Sequence, residues 1–138
     1  MRALAALAIL AAVIVAGLAA AQRVRVARQE AKAEDFIGAM ARGDFTYGLV
    51  MRTKADFLGK VSTREERRRL QTAARREAQW QEICGQLGAY QRMLGTHPGT
   101  EPGTVVVPCE FAMGRADLVV TFNKQDQVAG YGVGPSRQ

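Results

Sequence analysis

Histidine, cysteine, proline and acidic side chains are all scarce in this 138-residue chain. Each shortage removes a class of function. One histidine and two cysteines cannot supply the clustered nitrogen and sulfur ligands that hold a structural or catalytic metal, so no metal and no cofactor is expected. The histidine, His97, lies in "THPGTEPG", which is rich enough in turn formers to read as a loop. No nucleophile–base–orienter set can be assembled around it. Thirteen Asp and Glu stand against nineteen Lys and Arg, a net charge of +6. A nucleic-acid surface needs basic residues interleaved with exposed aromatics, or a known motif. Neither is found, and no nucleic-acid partner is expected.

Charge is missing altogether from Ala3 to Gln22, "ALAALAILAAVIVAGLAAAQ". The run is too uniformly apolar and too terminal for a buried core helix. Two readings stand. As a signal peptide it offers Arg2, an apolar region and a small-residue cleavage site at Ala19 to Ala21. As an anchor it offers roughly 18 apolar residues, near the length that spans a bilayer. The flank "QRVRVARQEAK" puts Arg23, Arg25, Arg28 and Lys32 just after the run. Positive charge there opposes translocation and, for an anchor, favours a cytoplasmic body. Without residues 1–21 only Arg2 is lost, so 18 basic and 13 acidic side chains leave +5. A basic body beside a membrane suits anionic lipid head groups.

The two cysteines are Cys84 and Cys109. An even count beside an export-like segment predicts one disulfide in an oxidising compartment. It would close a loop of about 26 residues, worth roughly 3.5 kcal/mol by chain entropy. The alternative is two buried thiols acting as small apolar groups.

The chain divides into a signal peptide or anchor at 1–22, a stalk at 23–35 and a body at 36–138. About 100 residues can bury a modest core. Phe36, Ile37 and Met40 share one helix face. Gly43 stops that helix in a left-handed conformation, and Asp44 caps a second helix with Phe45, Leu49 and Val50 inward. "TKADFLGKV" reads as a further short turn, with Phe57 and Leu58 inward. A third helix spans about 63–85. It opens with capping-box spacings at Ser62/Glu65 and Thr63/Glu66 and carries an apolar stripe of Leu70, Ala73, Ala74, Trp80, Ile83, Cys84 and Leu87. The period then becomes alternating. "GAYQRMLG", "TVVVPCEF", "DLVVTFN" and "VAGYGVG" read as strands, with Pro108 marking an edge or bulge. The expectation is an α+β body: three helical segments packed on a curved four-stranded antiparallel sheet.

The order of these elements resembles a bacterial domain-of-unknown-function family of the nuclear-transport-factor-2-like, or cystatin-like, superfamily. The resemblance rests on Gly43, Asp44 and Phe45; Trp80; Gly88 and Tyr90; Phe122 and Asn123; and Gly130 and Gly132. It covers roughly residues 33 to 135. Asp126–Gln127 stands where the family more usually has an Asp-Gly turn. The resemblance implies a cone-shaped, extracytoplasmic domain, periplasmic or outside the cell. It carries over no reaction and no site residue.

Candidate site residues therefore come from the residues themselves. Trp80, Tyr90 and Tyr131 can line a ligand pocket or fill the core. Enzymes of the resembled superfamily place an acidic base in the cone's cavity, which would make Glu110 and Asp117 the candidate carboxylates; the alternative for Asp117, at a strand start, is to terminate a turn. Glu110 alternates with Cys109 and Phe111, so it is solvated if those two face inward. Arg64, Arg67, Arg68, Arg69, Arg75 and Arg76 outnumber Glu65, Glu66 and Glu77 by six to three along one helix. They form a solvated face with local ion pairs or meet an anionic surface, either lipid or an acidic partner. The functional expectation is a non-enzymatic envelope accessory or interaction module, attached through residues 1–22 as a subunit of a membrane complex. The alternative is a small-molecule-binding or enzymatic domain.

Overall fold

The computed structural model describes residues 2–49 and 63–134. Among them are α1 (Arg2–Ala41), α2 (Thr63–Leu87), β1 (Tyr90–Met93), β2 (His97–Pro98), β3 (Thr104–Phe111), β4 (Gly114–Phe122) and β5 (Val128–Val133). The architecture is α+β, with one antiparallel sheet in the order β1–β3–β4–β5 and β2 paired to β3 as well. The expected three helical segments on four strands become two helices and five strands among the described residues.

α1 is one unbroken helix of 40 residues, about 60 Å long at the standard rise. Its Ala- and Leu-rich composition and lack of proline favour this. Its two halves differ. From Leu7 on, Gln29 is the first buried residue, followed by Ala33, Phe36, Ile37, Ala39 and Met40. The segment expected as a stalk, 23–35, therefore belongs to a helix whose inner face enters the core. The helix ends in a Schellman motif. The Asp44 N–H donates to Ala39 O at 2.8 Å and the Gly43 N–H to Met40 O at 3.0 Å. Gly43 takes φ +85°, where a Cβ would clash.

Residues 44–49 do not form the expected start of a second helix. Asp44 Oδ1 accepts from the Thr46 N–H at 3.0 Å and from its hydroxyl at 2.6 Å. That resembles a helix cap, but it closes an Asx turn. Gly48 then takes φ +71°, and residues 44–49 stay irregular. Val50, "TKADFLGKV" and Ser62 lie outside the described residues.

α2 runs two residues past its expected end and stops at Gly88, φ +85°. A Cβ on Gly88 would sit 3.0 Å from that of Ala112, because the β3–β4 hairpin docks here through the Met113 N–H to Leu87 O, 2.7 Å. The inward stripe of α2 is Ala73, Arg76, Trp80, Ile83, Cys84 and Leu87. Leu70 is 54% exposed and Ala74 is also outside, so neither belongs to the stripe.

The sheet alternates as its strands predict. Val105, Val107, Cys109 and Phe111 of β3, Ala116, Leu118, Val120 and Phe122 of β4, and Tyr131 of β5 face the helices and are buried. Two features differ from expectation. His97–Pro98, expected within a loop, forms β2 by pairing with Val105 and Val106. Pro108, expected at an edge or bulge, sits in β3, between β4 on one side and β1 and β2 on the other. A strand residue's N–H and C=O point to the same side. Pro108 O accepts from the Leu94 N–H at 2.8 Å, so its missing donor faces the break between β1 and β2 and costs no ladder bond.

The expected disulfide is absent: Cys84 and Cys109 are unbonded thiols. Cys109 is on the inner sheet face at 0% exposure, its Sγ donating to Val107 O at 3.4 Å. Burial pushes this thiol up to about 12. Burial raises the half-buried Cys84 too, partly offset by a backbone hydrogen bond at Tyr90. Both side chains serve the interior as small apolar groups.

Candidate functional site

Trp80, Tyr90 and Tyr131 do not share one pocket wall. The Trp80 and Tyr90 rings meet at 5.6 Å, and both meet Phe111, at 6.1 and 5.8 Å. These three rings fill the space between α2 and the β1–β3 edge. Tyr131 packs edge-on against Phe36 at 5.5 Å and donates its hydroxyl to Arg76 O at 2.8 Å. Burial holds that hydroxyl well above the usual tyrosine range. Tyr131 also lines a surface recess of about 220 Å³ with Gln79, Glu82, Ile83, Gln86, Gly132 and Val133.

The carboxylates lie on the opposite, open face of the sheet. Glu110 Oε2 meets the guanidinium groups of Arg92 at 3.3 Å and Arg115 at 3.6 Å. It is thus solvated and paired, as its alternation with Cys109 and Phe111 required. Asp117 lines a groove of about 310 Å³ on that face with His97, Glu101, Thr104, Val106 and Val119. His97 Nδ1 lies 3.2 Å from Pro98 O and its ring is exposed. An exposed imidazole and a half-exposed carboxylate can bind a polar solute, but no desolvated acid–base pair forms there.

Along α2, Arg64, Arg67, Arg68 and Arg75 are exposed and Arg69 is half-buried. Arg69 approaches Glu65 at 3.9 Å, one turn apart. Arg76, grouped with them by sequence, is 5% exposed and points inward. Its guanidinium donates to Tyr47 O at 2.7 Å and Phe45 O at 3.2 Å, and sits 4.9 Å above the Phe36 ring. It ties α2 to the turn after α1 and is unavailable to an anionic partner. Burial lowers its pKa without threatening its charge.

Among the described residues, the longest run of exposed apolar side chains is on α1. Leu7, Ile9, Leu10, Val13, Ile14, Val15, Leu18 and Val24 are each more than half exposed, up to 67% at Leu18. They surround the helix rather than forming a stripe, so this rod is apolar on every side. It is long and apolar enough to cross a membrane.

Where the rod meets the body, one residue collects three contacts. Asp126 Oδ1 accepts from Arg25 Nε at 3.1 Å and Gln29 Nε2 at 2.8 Å, and Asp126 O accepts from Lys32 Nζ at 2.8 Å. Arg25, Gln29 and Lys32 recur every three or four residues and so share a helix face. Asp126 takes φ +57°, a conformation that Asp tolerates better than most residues. Asn123 Oδ1 holds the turn by accepting from the N–H groups of Gln125 and Gln127, both at 3.0 Å. The Gln29 hydrogen bond, then Arg25, holds the Asp126 carboxyl below its usual range. The contact therefore contributes above the ordinary carboxylate pKa and is lost as pH falls through the depressed folded value. In the sequence, Asp126 stands out only as part of a substituted turn. The signal available was the i, i+4, i+7 polar set on α1.

Among the described residues no group of three or more His, Cys, Asp or Glu is placed to hold a metal. No family model, curated protein or solved structure matches the chain.

Proposed function

We propose that the chain is a membrane-tethered, non-enzymatic accessory module of the cell envelope that presents its body to a neighbouring membrane protein. The observation that carries this is the continuity of α1. One helix is an exposed apolar rod before Gln22 and part of the body's core from Gln29. A rod bare on all sides is unfavourable in water and at home in a bilayer. The mutual packing of Trp80, Tyr90 and Phe111 and the ion pairing of Glu110 support a structural body over a catalytic one.

The resemblance to the cone-shaped superfamily supports an extracytoplasmic body. A second reading puts the body on the cytoplasmic side. Arg23, Arg25, Arg28 and Lys32 directly after the apolar run favour it, as do the two unbonded thiols. The test is alkaline phosphatase fused after Gln138, active only outside the cytoplasm, together with amino-terminal sequencing of the membrane fraction. Phosphatase activity with an intact Arg2 supports the first reading. An intact terminus with an inactive fusion selects the second. A soluble protein starting at Gln22 overturns the tether.

A further inference from the structure

We infer that the body is held with its β2–β3 and β4–β5 connections against the lipid head groups, positioned by the rigid junction rather than hanging from a stalk. This rests on the membrane tether proposed above. It adds which face meets the lipid and why that face is fixed.

The geometry follows from α1. About 20 residues of helix cover the ~30 Å hydrocarbon core, so an apolar run ending at Gln22 leaves the bilayer there. Gln22 is already at the body. It lines one recess with Arg25, Gln29, Pro102, Gly103, Phe122 and Lys124, and another with Val26, Pro98, Thr100, Glu101 and Val105. No length of free chain separates the end of the span from the two loops. α1 then runs along β3 in the same direction: Gln22, Val26 and Gln29 lie by Val105, whereas Gly38 lies by Met93, which pairs with Cys109. β3 has eight residues, about 25 Å of strand. The β3–β4 hairpin at Ala112 and Met113 is therefore the pole far from the bilayer, with Met113 69% exposed.

Charge at the near pole suits anionic head groups. Arg23, Arg28 and Lys124 are exposed and make no ion pair with another described residue. Arg25 and Lys32 instead bind Asp126, which fixes the β4–β5 turn to the helix just beyond the span. Free cations at head-group depth attract an anionic leaflet, and the bound ones keep the turn there.

Photo-crosslinking of the full chain tests this, in vesicles of equal parts phosphatidylcholine and phosphatidylglycerol. A benzophenone amino acid is placed at Gln125, Thr100 or Met113, each an exposed position. Lipid adducts read by mass are expected to be several-fold more abundant at Gln125 and Thr100 than at Met113. A flexible Gly-Ser insertion between Gln22 and Arg23 spares the core and is expected to erase that difference. Equal adducts at all three positions, in a chain that floats with the vesicles, overturn the orientation. A difference that survives the insertion overturns the rigid junction as its cause. A chain that fails to float overturns the membrane tether itself, and this inference with it.

Discussion

Arg76 shows how far a residue's role can depart from its neighbours'. In sequence it is one more arginine in a basic run. In the structure it fills an inward slot of α2, over Phe36 and under two backbone carbonyls. Arg76→Ala would leave the Phe45 and Tyr47 carbonyls without their charged donor and open a void beside Phe36. The expected loss is about 2–4 kcal/mol by chemical denaturation. Arg76→Lys should recover only part of it, since an ammonium lacks the planar fork. Arg67→Ala or Arg75→Ala, on the exposed face, should change stability by less than ~0.5 kcal/mol. The cysteines give a second expectation at this scale. With its thiol pushed up to about 12, Cys109 should resist a thiol reagent in the native protein at pH 8. Two reactive thiols per chain should appear on unfolding without reductant. Finding none would restore the disulfide.

At the scale of elements, α1 sets the protein's organisation. Its apolar half contributes no buried side chain among those described, and its later half supplies Phe36, Ile37 and Met40 to the core. Deleting residues 2–21 should therefore yield a soluble body that melts cooperatively. Shortening the deletion to 2–11 should leave a protein that requires detergent. A body that fails to fold without the rod would show that the apolar half carries packing not evident in the structure. The end of α1 is legible in the sequence, because Gly43 holds a φ of +85° that only glycine adopts at little cost, whereas α2 runs two residues past its expected end to Gly88, which takes the same φ. That residues 44–49 are not the start of a helix has a physical reason. Asp44 makes the same side-chain bond to a backbone N–H two residues on in a helix cap and in an Asx turn. Only the next residues decide which forms, and Gly48 turns the chain away. Pro108 is ambiguous in the same way: a missing N–H excludes a ladder bond but does not say which neighbour is absent.

For the whole molecule, sequence and tertiary structure divided the outcome by the range of the physics involved. Sequence alone determined what acts locally: the apolar run and its basic flank, the helix stops, the period-two alternation that buries Cys109 and Phe111 and turns Glu110 out, and the α+β order. Each depends on a residue and its near neighbours along the chain. Contacts between distant residues were decided only in three dimensions. Asp126 reaches Arg25 across 101 positions and Tyr131 reaches Arg76 across 55, and no local pattern encodes either. Composition suggested a disulfide, yet whether two thiols bond depends on the separation and direction of their Cβ atoms, which strand and helix packing set. The same holds for α1. The apolar character of its first half is written in residues 3–22. That the helix continues unbroken into the core follows from where Gln29, Ala33 and Phe36 are buried against the body.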